Sequence, residues 1–89
     1  MKLLIFGKST CEICYKVKNK LEYFSQKEFP IPIEYFDVET MEGMAQSAFW
    51  GINEIPTVIL LKDKTEVKRW EQTAPLFSEL KTLLSTKSP

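Results

Sequence analysis

The chain has 89 residues, 12 of them basic and 12 acidic, with two cysteines and no histidine. That length holds one packed core, read as a single domain over residues 1–89, and 44% hydrophobic with 27% charged residues excludes a disordered composition. A formal net charge of zero supplies no field to gather nucleic acid or an anionic membrane surface, and no apolar run is long enough to cross a bilayer.

Taken in chain order, residues 2–6 read as a buried strand, with a continuous apolar run from Leu3 to Phe6 closed by Gly7. Residues 7–10 are a loop in which Ser9 and Thr10 are suited to cap a helix. From Cys11 to about Gln26, Cys14, Val17, Leu21 and Phe24 recur at helical spacing among lysines and glutamate, which predicts an amphipathic helix. Pro30 and Pro32 end the connection, and residues 33–38 read as a second strand.

Residues 40–50 predict a second helix, with Met41, Met44, Ala45, Ala48 and Phe49 as its apolar face and Gly51 as its C-cap. Ile55-Pro56 leads into a strong strand over 57–61, a turn at 62–64 and a returning strand over 65–70. Pro75 opens a last helix striped by Leu76, Phe77, Leu80, Leu83 and Leu84, and residues 85–89 read as a frayed tail. Trp50 and Trp70 are taken as packing residues at a core edge. The order βαβαββα makes an α/β fold. Its first two strands are expected parallel through a right-handed crossover, and its last two antiparallel.

Chemistry concentrates at Cys11-Glu12-Ile13-Cys14, after a strand and loop and at the start of a helix. Residues three apart on a helix have Cβ atoms about 5–6 Å apart. Small adjustments bring them to the ~3.5–4.5 Å of a disulfide. Unpaired helix N–H groups and the helix dipole stabilise a thiolate on Cys11, while Cys14 falls on the apolar stripe. The expected roles follow: Cys11 is the nucleophile and Cys14 the resolving thiol. A structural metal site is set aside, because two thiolates without any imidazole fall short of a tetrahedral ligand set. A metal or iron–sulfur module would need a second chain or carboxylate ligands, and a redox-independent adaptor is the remaining alternative. With no signal-peptide pattern the pair is placed in the reducing cytoplasm.

The segment Phe6-Gly7-Lys8-Ser9-Thr10-Cys11-Glu12-Ile13-Cys14 resembles the active-site segment of glutaredoxins, in which a lysine stands three residues before the first cysteine. Gly51-Ile52-Asn53-Glu54-Ile55-Pro56-Thr57-Val58 resembles the stretch around the cis-proline shared by glutaredoxins and thioredoxins. The resemblance implies the minimal thioredoxin (glutaredoxin-like) fold, with a four-stranded mixed sheet of order 2-1-3-4 and helices on both faces. It implies thiol–disulfide oxidoreductase activity, a cis Ile55–Pro56 bond facing the cysteines, and an Ile55 backbone that pairs with substrate. Lys8 takes the place of the family lysine, beside the Cys11 thiolate or a substrate carboxylate.

Three departures from the family pattern shape the remaining expectations. Glu12 adds a carboxylate next to Cys11; at ~7 Å and an effective dielectric of about 20–80 the repulsion on a thiolate is about 0.6–2.4 kcal/mol, which tunes the couple toward the reducing end. Where glutaredoxins carry a glycine pair and an acid for glutathione, Trp70-Glu71-Gln72-Thr73-Ala74 stands, with Thr73 the one hydroxyl available to a ligand. The first strand lacks the buried acid of thioredoxins. The expected partners are disulfide-containing proteins or small molecules, with a thioredoxin reductase or glutathione supplying electrons, no bound cofactor, and a monomeric chain.

Overall fold

Leu3, Leu4, Ile5 and Phe6 can be apolar without interruption because the strand they form is covered on both sides. In the computed structural model, which describes residues 1–85, β1 (Lys2–Gly7) runs at the centre of the sheet. It is followed by α1 (Glu12–Lys27), β2 (Ile33–Asp37), α2 (Met41–Trp50), β3 (Thr57–Lys62), β4 (Thr65–Glu71) and α3 (Phe77–Ser85). The sheet order is β2-β1-β3-β4. β1 pairs in parallel with β2 and antiparallel with β3, and β3 pairs antiparallel with β4. This is the βαβαββα order and 2-1-3-4 sheet expected from the sequence. Ser85, expected in the tail, closes α3, and residues 86–89 lie outside the described residues.

Alternation along the central strands divides the core in two. Leu3, Ile5, Val58 and Leu60 face α1 and α3, where Val17, Leu21, Phe24 and Leu80 complete the larger cluster. Leu4, Phe6, Phe36, Ile59 and Leu61 face the other way, toward Val38, Trp50 and Ile52. Trp70 packs in the larger cluster, donates its indole N–H to Glu79 at 3.0 Å and so ties β4 to α3.

The second helix departs from expectation. Its apolar face, which such a pattern ordinarily turns toward a core, points to solvent: Met41 is 86% exposed, Met44 53% and Phe49 74%, with Ala45 and Ala48 exposed beside them. The sheet is covered instead by Gly43, Gln46, Ser47 and Trp50, the complementary i, i+3, i+4, i+7 set. The first turn explains this rotation. Thr40 caps α2 by accepting the Gly43 N–H at 3.0 Å, and its own hydroxyl and N–H donate to the Asp37 carbonyl at 2.8 and 3.0 Å. A Cβ at Gly43 would collide with that carbonyl, so only glycine lets the helix sit there. The cap and the close approach fix the helix's phase, and the apolar stripe does not. Leaving Met44 and Phe49 largely in water forfeits about 1.5–3 kcal/mol each relative to full burial.

At its far end α2 stops at Gly51, whose φ of 63° is left-handed, and the Ile52 N–H returns to the Ser47 carbonyl at 2.8 Å. Arg69 of β4 finishes this terminus, donating to the Trp50 carbonyl at 2.7 Å and the Gly51 carbonyl at 3.3 Å. Glu66 holds the same guanidinium at 2.8 and 2.9 Å. Its carboxyl is lowered by that hydrogen bond from its ordinary range, and the guanidinium is raised.

Candidate active site

At the end of β1 the chain turns through residues 8–11, closed by the Cys11 N–H donating to the Lys8 carbonyl at 3.0 Å. Ser9 and Thr10 are exposed in this turn and do not cap α1, as their residue type had suggested. Cys11 itself is the N-cap: its backbone is extended, and its sulfur accepts the Cys14 N–H at 3.1 Å. A sulfur in that position faces the unpaired N–H groups of the first turn, which favour negative charge on it. Cys11 and Cys14 form a disulfide with a Cα separation of 5.2 Å. The two are unequal. Cys11 is half-buried, while Cys14 is fully buried at the head of the stripe formed with Val17, Leu21 and Phe24.

Gly7 is the floor under this pair. A methyl group built there would lie 2.7 Å from Cys14 Cβ, 2.9 Å from the Tyr35 hydroxyl and 3.1 Å from Cys14 Sγ. The buried sulfur and the Tyr35 hydroxyl therefore border the same small space above the end of β1. Burial, and then the charge of Asp37, hold the Tyr35 phenol above its ordinary value of 10.0, so it stays a neutral donor. The β1–β3 register pairs Phe6 with Thr57, which brings Pro56 level with Gly7 on one side while Asp37 pairs with Gly7 on the other. The Ile55–Pro56 bond is cis and Pro56 is buried. The Pro56 carbonyl accepts the Gln72 N–H at 2.7 Å, and the Gln72 side chain donates to Glu54 at 3.1 Å.

Two clefts open beside Lys8, in the turn that leads to the pair, and neither is lined by a cysteine. One, of about 350 Å³, is lined by Lys8, Ser47, Asn53, Glu54 and Ile55 among others; the other, of about 230 Å³, lies between Lys8, Tyr15, Lys18, Tyr35 and Asp37. Lys8 borders both, so the structure brings it together with Ile55. In the second cleft the Lys18 ammonium lies 5.4 Å from the Tyr35 ring and 6.0 Å from the Tyr15 ring. Ile13 and Tyr15 are exposed on the first turns of α1. Glu12 is exposed and pairs with Lys16 at 3.5 Å. Thr73 stands apart: it is exposed, its hydroxyl reaches only the neighbouring Ala74 carbonyl at 3.5 Å, and it lines neither cleft.

Sequence reasoning missed three of these neighbours. Gly7 reads simply as a strand end, although a glycine directly before a cysteine loop is a signal for close approach. Tyr35 is one residue of an ordinary strand. Gln72 adopts the left-handed φ of 60° that a glycine favours, in the segment noted for having none.

No family model and no curated protein sequence matches the chain at a significant level. Solved structures do. Thioredoxin 1 from the thermophilic eubacterium Thermosipho africanus TCF52B is 26% identical, with 94% of each chain covered and a TM-score of 0.81. A mutant thioredoxin from Halobacterium salinarum NRC-1 is 21% identical over 98% of this chain and 76% of its own, with a TM-score of 0.77. Thioredoxin O2 from Arabidopsis thaliana in its oxidized state is 13% identical over 93% and 70%, with a TM-score of 0.75. The chain has a thioredoxin-like fold with a Cys-x-x-Cys pair in a disulfide. Fold and disulfide together support a thiol–disulfide oxidoreductase in general. Among the described residues no helix is long and apolar enough to cross a membrane.

Proposed function

We propose that the protein is a cytoplasmic dithiol reductant of disulfides in proteins or small molecules. The observation that carries this reading is the inequality of the pair, an accessible Cys11 at a helix N-terminus and a fully buried Cys14 one turn inside. In the dithiol form the Cys11 thiolate attacks one sulfur of the substrate disulfide, and the other sulfur leaves as a thiolate that takes up a proton. Cys14 then loses its proton and attacks Cys11 Sγ, closing the Cys11–Cys14 bond and releasing the second substrate thiol. Two electrons and two protons pass to the substrate. The second attack needs no new encounter, because the two cysteines already share one helical turn.

Ile55 lies just before β3, outside its ladder, and lines the cleft with Lys8. An extended substrate segment adds to this backbone as a short strand, with Pro56 level with the redox pair. Lys8 receives an anionic group of the substrate or favours the Cys11 thiolate. The electron donor is a thioredoxin reductase rather than glutathione, since the segment after β4 lacks the glycine pair and acid of glutaredoxins and the Gln72 side chain and N–H are held by Glu54 and Pro56.

The decisive experiment compares serine variants. Cys14→Ser traps mixed disulfides with substrate, and Cys11→Ser abolishes exchange; trapping by Cys11→Ser would reverse the roles. A reduction potential of about −270 to −200 mV fits a reductant, whereas one near about −120 mV makes the protein an oxidant and overturns the reading.

A further inference from the structure

The outward stripe of α2 is the feature that the redox chemistry does not use. Met41, Met44, Ala45, Ala48 and Phe49 follow i, i+3, i+4, i+7, i+8, the pattern of a helix built to pack against something. Beside its C-terminal half lies a groove of about 600 Å³ lined by Ala45, Gln46, Phe49, Trp50, Leu61 and Lys64. We propose that this face binds a second copy of the chain, with the two α2 helices antiparallel across a two-fold axis at Ala45.

Three properties single out a second copy as the occupant. First, the stripe is self-complementary about its centre. With the axis at Ala45, Met41 of one protomer stands level with Phe49 of the other, and its unbranched side chain suits the groove beside Phe49. The small side chains of Ala45 and Ala48 let the two helices approach closely. Second, the charges match only in the antiparallel sense. Glu42 is the acidic residue of the first turn, the last turn holds no basic residue, and Lys64 supplies the cation beside the groove at the opposite end. Glu42 shares the helix flank of Gln46 and Phe49, which borders the groove. A two-fold axis across the helix keeps that flank on one side, so each Glu42 meets the other copy's Lys64. Third, the helix dipoles oppose in this arrangement, so the N-terminus of each α2 lies near the C-terminus of its partner.

The cysteines are unobstructed, because α1 covers the other face of the sheet. One ten-residue helix pair with its groove is at the small end of protein interfaces, so the dimer is concentration-dependent rather than obligate.

Sedimentation equilibrium of the full chain from about 10 µM to about 1 mM tests this directly, with a monomer–dimer equilibrium expected within that range. Phe49→Glu, at a site that is already exposed, is expected to weaken association by about tenfold or more while the fold and disulfide exchange are retained. Glu42→Lys weakens it as well, and Glu42→Lys with Lys64→Glu restores it. In a Cys11→Ser/Cys14→Ser background, Ala45→Cys oxidises to a covalent dimer faster than Met41→Cys does. A monomer throughout the concentration range overturns the proposal. So does a dimer indifferent to Phe49→Glu, or a charge swap that fails to restore association.

Discussion

Replacing Gly7 by alanine adds one methyl group to the floor of the redox site. The methyl lies 2.7 Å from Cys14 Cβ, 2.9 Å from the Tyr35 hydroxyl and 3.1 Å from Cys14 Sγ, against an optimum of about 3.5–4.0 Å between carbons. The phenol is the free end of a side chain and can swing away cheaply. Cys14 cannot, because its Cβ is carried by the helix backbone and its sulfur is bonded to Cys11. The start of α1 must lift, an overpacking that costs about 1–3 kcal/mol. Gly7 is not left-handed, so alanine adds no backbone strain, and its lower unfolded-state entropy returns about 0.5–1 kcal/mol.

Taking the middle of each range, the net expectation is a loss of about 1 kcal/mol, which for a domain of this size lowers Tm by roughly 4–8 °C. Thermal unfolding followed by circular dichroism, in oxidised and in reduced protein, is the assay. The fall is expected to be larger in the oxidised form, because opening the Cys11–Cys14 bond lets the first turn of α1 relax around the methyl. Gly51→Ala is the matched control: its methyl would meet nothing, but φ is 63°, so its cost is purely conformational and the same in both redox states. A Gly7→Ala protein that melts within about 2 °C of the parent in both states would refute the close packing claimed under Cys14.

Arg69→Ala removes the guanidinium from the Trp50 and Gly51 carbonyls. A loss of about 1 kcal/mol in urea unfolding is expected, not restored by Arg69→Lys, which lacks the fork; an unchanged midpoint would show that α2 ends without it. Because burial and Asp37 raise the Tyr35 phenol, its contribution to stability is complete below about pH 10 and is lost as pH climbs through the folded value. Tyr35→Phe is therefore expected to flatten the alkaline fall in urea stability, and an identical pH profile for the two proteins would count against it. Glu12→Gln is expected to shift the couple toward the oxidising side by only about 10 mV, since Glu12 is exposed and shared with Lys16. The shift grows when Lys16→Gln is present in both proteins, and a more negative potential would remove Glu12 from the account.

Much of the fold was legible in the residues. Unbroken apolar runs at β1 and β3 announce strands covered on both faces, and the stripe of Cys14, Val17, Leu21 and Phe24 announces a helix on one of them. The spacing of Cys11 and Cys14 at a strand-to-helix junction is local chemistry, so it could be read without any tertiary contact. What the sequence could not determine is how each element is turned against its neighbours. The apolar stripe of α2 argued for one rotation, and the Thr40 cap with the Gly43–Asp37 approach imposed the opposite one. That balance depends on a carbonyl belonging to β2, which no helical pattern encodes. Likewise Gly7 and Tyr35 reach Cys14 through sheet register, and Gln72 reaches the cis-proline through a chain crossing. Local periodicity selects elements and their chemistry, whereas close backbone contacts between elements distant in sequence decide which faces meet and which remain open to a partner.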